Sequence, residues 1–365
     1  MLFIQNPACS VCRRLAGWLL LATVFLLAGC GETKYVLRFD TGHADGAALP
    51  VWPPQEETAR YRYVGQLTGE DNLVAQDGDK RGAMLRMFYW LVGLAGFGEE
   101  KITLKRPQSG MADGQGRIYV SDVSSHAVFV FDQGAGKLDV WTMAQEYRRF
   151  VTPIGIVAGP AGQILVADAE LGEVFRLDRD GKPVGSFGRG ILNRPTGLAR
   201  DAARGRIYVS DTHAHDIKVF DDAGQLVETI GRRGDDEAGL NFPTHLAFAG
   251  GRLYVSDSMN ARVQVFDGEG NYIRGVGRRG LYYGNLTRPK GVAVDGAGNL
   301  YVVESYYDHL LVFNADGRFL MPIGGTGSEV GQFYLPSGVW SDAGGRIYVA
   351  DMFNGRVVIF QFLGG

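Results

Sequence analysis

Cysteine is nearly absent from this chain, with three in 365 residues at positions 9, 12 and 30. Everything beyond Cys30 is without a thiol, which excludes a disulfide framework and a thiolate zinc site from the body of the protein. Charge of one sign is lacking too. The formal net charge is only -3, so nothing in the overall balance points to nucleic acid, and an electrostatic partner must be recognised by a local patch. The apolar stretch Leu15 to Leu27, interrupted only by Gly17 and Thr23, is short of the roughly 20 residues that a membrane-spanning helix needs. No glycine-rich phosphate loop, nucleophile elbow, haem-attachment motif or His-Glu-x-x-His helix is present, so no motif-borne catalytic chemistry is legible.

Glycine, by contrast, is abundant. The 53 glycines are about twice the usual share of roughly 7%, and Tyr and Phe are plentiful, which suits many short strands joined by tight turns. From residue 106 one pattern returns six times: a proline, an apolar stretch, a glycine turn, a hydrophobic strand closed by an acid, a short loop, then a second hydrophobic strand. The prolines are Pro107, Pro153, Pro195, Pro243, Pro289 and Pro336. The acids are Asp122, Asp168, Asp211, Asp257, Glu304 and Asp351, and the later hydrophobes Phe131, Leu177, Phe220, Phe266, Phe313 and Phe360. Several markers keeping one period of about 45 residues, each period holding four strand-like stretches, specify a propeller blade. Tyr119, Tyr208, Tyr254, Tyr301 and Tyr348 recur on the second strand and are expected between blades.

The sixth repeat ends after Arg356 to Phe362 and lacks a fourth strand. Residues 60–67 read like the fourth strands elsewhere and are expected to pair with the last blade and close the ring, since an open edge invites aggregation. Residues 30–59 read as a flexible tether. In 81–97, Met84, Met87, Phe88, Leu91, Val92 and Ala95 follow helical spacing, which predicts one inserted helix, packed on the propeller edge or dipping into a lipid interface. The fold class is therefore all-β, a six-bladed propeller over residues 60–365 with six repeats in 106–362.

With the repeats laid out, the chain resembles the NHL-repeat family, whose units carry Asp-x-x-Asn-x-Arg followed by Val-Phe. The nearest copies are Asp257 to Phe266 and Asp351 to Phe360. Blade two departs with Leu171-Gly172-Glu173 and blade three with Ala214-His215-Asp216 in place of Asn-x-Arg. The resemblance implies the fold; the family holds scaffolds, RNA binders and a few enzymes, so it leaves function open. The amino-terminal segment, with Arg13 and Arg14, the apolar run and Leu27-Ala28-Gly29-Cys30, resembles a bacterial lipoprotein signal. That resemblance implies residues 1–29 as signal peptide, lipid on Cys30, and, with Gly31 following, a cell-envelope lipoprotein of the outer membrane facing the periplasm.

The repeated acids obey the symmetry of the blades and read as structural caps, whereas a functional site is expected where symmetry breaks. The second residue after each proline is Ser109, Gly155, Gly197, His245, Gly291 or Gly338, so His245 alone places a large polar group at the central channel. A metal-dependent lyase or hydrolase centred on His245, helped by His213, His215 or His309, is the alternative reading; a catalytic zinc needs about three protein ligands, and no metal or cofactor is assigned. The expected binding face is the loop side carrying Arg189, Arg194, Arg232, Arg233, Arg278, Arg279 and Arg288 with Tyr282, Tyr283, Tyr306, Tyr307, His309 and Phe353. Arginine offers donor forks for carboxylate or phosphate, and aromatic rings offer stacking surfaces. The function expected is binding or scaffolding by a monomeric propeller, with a peptide, an envelope protein or an anionic polysaccharide as ligand and the membrane as anchor.

Overall fold

The computed structural model describes residues 34–42, 48–55, 58–76 and 101–364. The chain divides into two units, one of Met1–Lys34 and Ala75–Leu94, the other of Tyr35–Val74 and Ala95–Gly365. In the smaller unit only Lys34, Ala75 and Gln76 are described, with the Gln76 amide donating to the Lys34 carbonyl at 2.9 Å. Cys30 and the expected helix at 81–97 lie outside the described residues.

The larger unit is a six-bladed β-propeller. Five blades are four-stranded antiparallel sheets in simple sequence order, opening with the inner strands Pro107–Ala112, Pro153–Ala158, Pro195–Asp201, Pro243–Ala249 and Pro289–Val294. The sixth runs from Val339–Ser341 through Arg346–Asp351 and Arg356–Phe362 to Tyr61–Leu67, with Val51–Trp52 outermost. The closing strand pairs antiparallel from Tyr61 opposite Phe362 to Leu67 opposite Val357, with a bulge between Tyr63 and Gly65. Its alternation puts Tyr61, Tyr63 and Leu67 inside.

Part of the segment expected to be tether is ordered here. The Tyr63 amide donates to the Pro50 carbonyl at 2.9 Å, and Trp52 packs edge-on against Phe360 with ring centroids 5.3 Å apart. Buried Asn72 ties residues 38 to 69 together: its side-chain oxygen accepts from the amides of Thr68 and Gly69, and its amide donates to the carbonyls of Arg38 and Gln66, at 2.7 to 3.1 Å. The three prolines of the segment do not keep it out of the sheet, because a two-residue edge strand needs few backbone donors.

A blade is hydrophobic on both faces, so the core lies between blades. One apolar cluster fills each interface among the described residues. Tyr119, Tyr208, Tyr254, Tyr301 and Tyr348 each belong to one, as the repeats imply, with Leu165 serving in blade two. Gly197 shows why the inner strands carry glycine: a Cβ there would stand 2.3 Å from the Thr244 carbonyl of the next blade. The repeated acids are buried caps. Asp122 accepts from the amides of Lys105, Arg106, Ser124 and Ser125 at 2.7 to 3.0 Å, joining the connector ahead of the blade to the turn after its second strand.

Candidate functional site

Antiparallel order brings the connections from fourth to first strand, and from second to third, out on one face of every blade. On the Asn-x-Arg blades a single device closes this face. Arg262 donates to Asp257 at 2.9 Å and to the carbonyls of Asp236 and Gly239, at 2.7 and 2.8 Å, in the connector that precedes its blade. Arg356 does the same with Asp351 at 2.8 Å and the carbonyls of Glu329 and Gln332 at 3.1 and 2.9 Å. Asn260 and Asn354 add bonds to the carbonyls of Gly234 and Gly327. The connector is thus clamped down.

Blade five replaces this pair with Tyr307 and His309. An imidazole does not reach the connector carbonyls as a guanidinium does, and a pocket of about 160 Å³ opens between connector and turn, lined by Leu281, Tyr282, Tyr283, Glu304, Tyr307 and His309. Its rim is apolar and solvent-facing: Leu281, Tyr282 and Tyr283 are 80%, 84% and 66% exposed. Tyr283 stands edge-on to His309 at 5.4 Å, and Tyr306 edge-on to Tyr307 at 4.8 Å. Phe353 of blade six, half exposed, carries the Arg106 guanidinium 5.0 Å above its ring.

The arginines of the loop face separate into two groups. Arg189 pairs with Glu173 at 2.9 Å, Arg232 with Asp236 at 2.5 Å, and Arg194 approaches Glu170 at 3.9 Å. Glu173 occupies the arginine slot of blade two and also takes Arg148 at 2.7 Å. Burial pushes this carboxyl up, but hydrogen bonds from Arg148, Ser186 and Arg189 outweigh it and hold it below the usual carboxylate range. The departure in blade two therefore restores pairing with reversed sign. Arg278 reaches only Asn285 at 3.4 Å, Arg279 the Met259 carbonyl at 2.6 Å, and Arg288 the Ser305 hydroxyl at 3.2 Å beside the Tyr306 ring. These three and Arg233 have no carboxylate partner among the described residues.

At the axis, hydroxyls tie blade three to blade four and blade four to blade five. Thr212 donates to the Pro243 carbonyl and Ser258 to the Pro289 carbonyl, at 2.7 and 2.6 Å, satisfying inner-strand acceptors that no neighbouring strand reaches. Gln108, Thr196, Thr244 and Ser337, each following its blade's proline, complete a polar girdle, while blade two has Ile154 there. Thr196 bonds Thr212 at 2.7 Å, Thr244 bonds Ser258 at 2.9 Å, and Ser337 donates to Gln108 at 3.0 Å. Lys290 is the charged residue of this set. Its ammonium has no hydrogen-bond or ion-pair partner among the described residues. Burial, then Arg288 and Arg106, lower its pKa to about 8.

His245 lies in the channel beside this girdle and is 7% exposed. Its ring lies against the carbonyls of Lys290 and of Gln108, the latter from the blade opposite, without a well-formed hydrogen bond to either nitrogen. Burial and the Lys290 charge lower its pKa to about 4, so the ring is neutral at pH 7. It also borders a vestibule of about 230 Å³ lined by Met111, Leu198, Val292 and Trp340. The histidines do not converge. His215 accepts from the Phe242 amide at 3.2 Å and packs on that ring, while His309 serves blade five. Among the described residues, no three His, Cys, Asp or Glu side chains gather as a metal site would require.

The structure thus brings Tyr282, Tyr283, Tyr307 and His309 into one pocket, sets Arg288 and Tyr306 beside it, and assigns Arg189, Arg194 and Arg232 to carboxylates of the protein itself. The sequence reading passed over Lys290 and Arg106. Comparing the residue just after each proline reveals Lys290, because the other five at that position are neutral.

Residues 192–220, in blade three, match the NHL repeat. A search of curated proteins finds no match. Similar solved structures include a protein of unknown function from Bacteroides thetaiotaomicron, 15% identical with a TM-score of 0.57 over 71% of this chain and 70% of that one. An auxiliary nutrient binding protein from Bacteroides ovatus is 16% identical, with a TM-score of 0.55 over 70% and 68%. Virginiamycin B lyase from Staphylococcus aureus is 12% identical, with a TM-score of 0.56 over 90% and 100%. At these identities the likeness is one of fold.

Proposed function

We propose that this NHL-repeat propeller is a binding protein, whose loop face on blades four to six takes up a peptide segment of an extracytoplasmic partner. One observation carries the reading: the clamp that closes this face in blades four and six is missing in blade five, and the pocket left behind is rimmed by exposed Leu281, Tyr282 and Tyr283. Aromatic and apolar side chains held in the open at a concave site favour a ligand with apolar side chains of its own, and rigid tyrosines give contact area with little entropy loss. The fold neighbours include nutrient-binding proteins and a lyase alike, so the local chemistry of the face, rather than the architecture, supports binding. The lipobox-like Leu27-Ala28-Gly29-Cys30 supports an anchor through lipid on Cys30 in the cell envelope.

Panning the detergent-solubilised chain against a displayed random-heptapeptide library tests the reading. Enriched sequences should share apolar residues and lose binding by about tenfold or more in Tyr282→Ala/Tyr283→Ala. A library that yields no consensus, or one indifferent to that double variant, refutes it. For the anchor, Cys30→Ser should abolish lipid labelling and release the protein from membranes.

A further inference from the structure

We propose that the mouth of the central channel on the loop face is a carboxylate-binding subsite, formed by Lys290, Arg288 and Arg106, which receives the C-terminal end of the peptide bound across blade five. This rests on the reading of that face as a peptide-binding surface. Three cations neighbour one another there and none has an ion-pair partner among the described residues, since the adjacent acids Glu304 and Asp122 accept from the Arg288 and Arg106 backbone amides: the Arg288 side chain is held to Ser305 and Tyr306, that of Arg106 to the Phe353 ring, and that of Lys290 to nothing. Clustered like charges repel, and a half-buried ammonium with no partner is unfavourable in the ligand-free protein. The girdle offers no relief, because Ser337, Gln108, Thr196 and Thr244 already bond to one another or to the adjacent turns. An incoming oxyanion removes the repulsion and gains charge-assisted hydrogen bonds from a lysine and two arginine forks.

The mouth is also blind. His245 reaches from blade four to the Gln108 carbonyl of blade one and stops the channel beside Lys290. A blind recess suits a chain end better than a chain passing through. A polysaccharide with anionic groups at regular intervals calls for cations spread along an open surface, whereas here the unpartnered lysine is single and recessed. Tyr306 links the two regions: it stands beneath Arg288 and beside Tyr307, which lines the blade-five pocket. A carboxylate at Lys290 therefore leaves the preceding side chains over the tyrosines.

The test compares a pool of tripeptides with branched apolar and aromatic side chains, as free acids and as C-terminal amides, by calorimetric titration of the detergent-solubilised chain. The acids should bind about tenfold to a hundredfold more tightly than the amides, the equivalent of a charge-assisted hydrogen bond or two. That preference should vanish in Lys290→Met, persist in Lys290→Arg, and fade as the pH rises through about 8. Equal binding of acids and amides, or a preference that survives in Lys290→Met, overturns the carboxylate site. So does tighter binding of polygalacturonate or of inorganic phosphate than of the acids. If both pools bind alike and both are lost in Tyr282→Ala/Tyr283→Ala, the peptide-binding face stands and the subsite falls; if neither pool binds, both fall.

Discussion

Blades five and six share one plan and close differently. Blade six is assembled from both ends of the described chain and is held shut: Arg356, 7% exposed, binds Asp351, the Gln66 side chain of the closing strand and two connector carbonyls at once. Blade five is one continuous stretch, and the arginine position is His309, which leaves a pocket where blade six has a clamp. Its cations, Arg288 and Lys290, form no ion pair among the described residues, because Glu304 accepts from backbone amides instead. The same few residues of the repeat thus either fasten the ring or present a surface, and a blade that fastens has little left to offer a ligand.

The comparison breaks most completely if blade six loses its borrowed strand. Deleting residues up to 67 removes Tyr61, Tyr63 and Leu67 from two interfaces, and the chain should aggregate without a cooperative melt. Deletion ending at residue 59 keeps that strand but loses Trp52 against Phe360 and the Pro50 carbonyl, and should cost about 2 to 4 kcal/mol in urea unfolding. Next in size, Arg356→Ala turns the closed blade toward the open one. It leaves Asp351, whose pKa burial already raises, without its cation, and unfolding should be easier by about 3 kcal/mol.

The unpaired lysine of blade five gives a pH signature. Its folded pKa of about 8 lies below the 10.5 of the unfolded chain, so the unfolded state holds more protons between those values. Stability should climb with pH across that window, the penalty being fully present below about 8. The gain should be about 2 kcal/mol, less than the full equivalent of the shift because the side chain keeps some exposure. Lys290→Met should flatten the climb in pH-dependent denaturation. The smallest expected change in stability comes from His309→Arg, which installs the arginine that blades four and six carry at this position. It should stay within about 1 kcal/mol of wild type while filling the pocket and abolishing peptide capture in the panning assay.

Much of this was legible in the residues. The recurrence of proline, tyrosine and acid reports strand order and interblade packing, and residues 60–67 declare themselves as the closing strand because their pattern matches the fourth strands elsewhere. The strands Tyr35–Leu37 and Val51–Trp52 were not legible as structure: pairing of Val51–Trp52 depends on a bulged partner strand supplied by the fold, not on a local pattern. At the site, His245 stood out by breaking symmetry. Lys290 did not, since a lone lysine after a proline looks solvated in sequence, and its setting beside Arg106 arises only when the ring brings blade one near blade five. The arginines read as a single patch for the opposite reason. Whether Arg189 or Arg288 is free depends on which acids the neighbouring loops deliver.

His245, finally, makes the propeller a stoppered ring. The buried imidazole lies across the axis, between the loop face and the vestibule lined by Met111, Leu198 and Trp340. A molecule lodged on one side does not crowd the other, so the two ends of the ring behave as separate rooms.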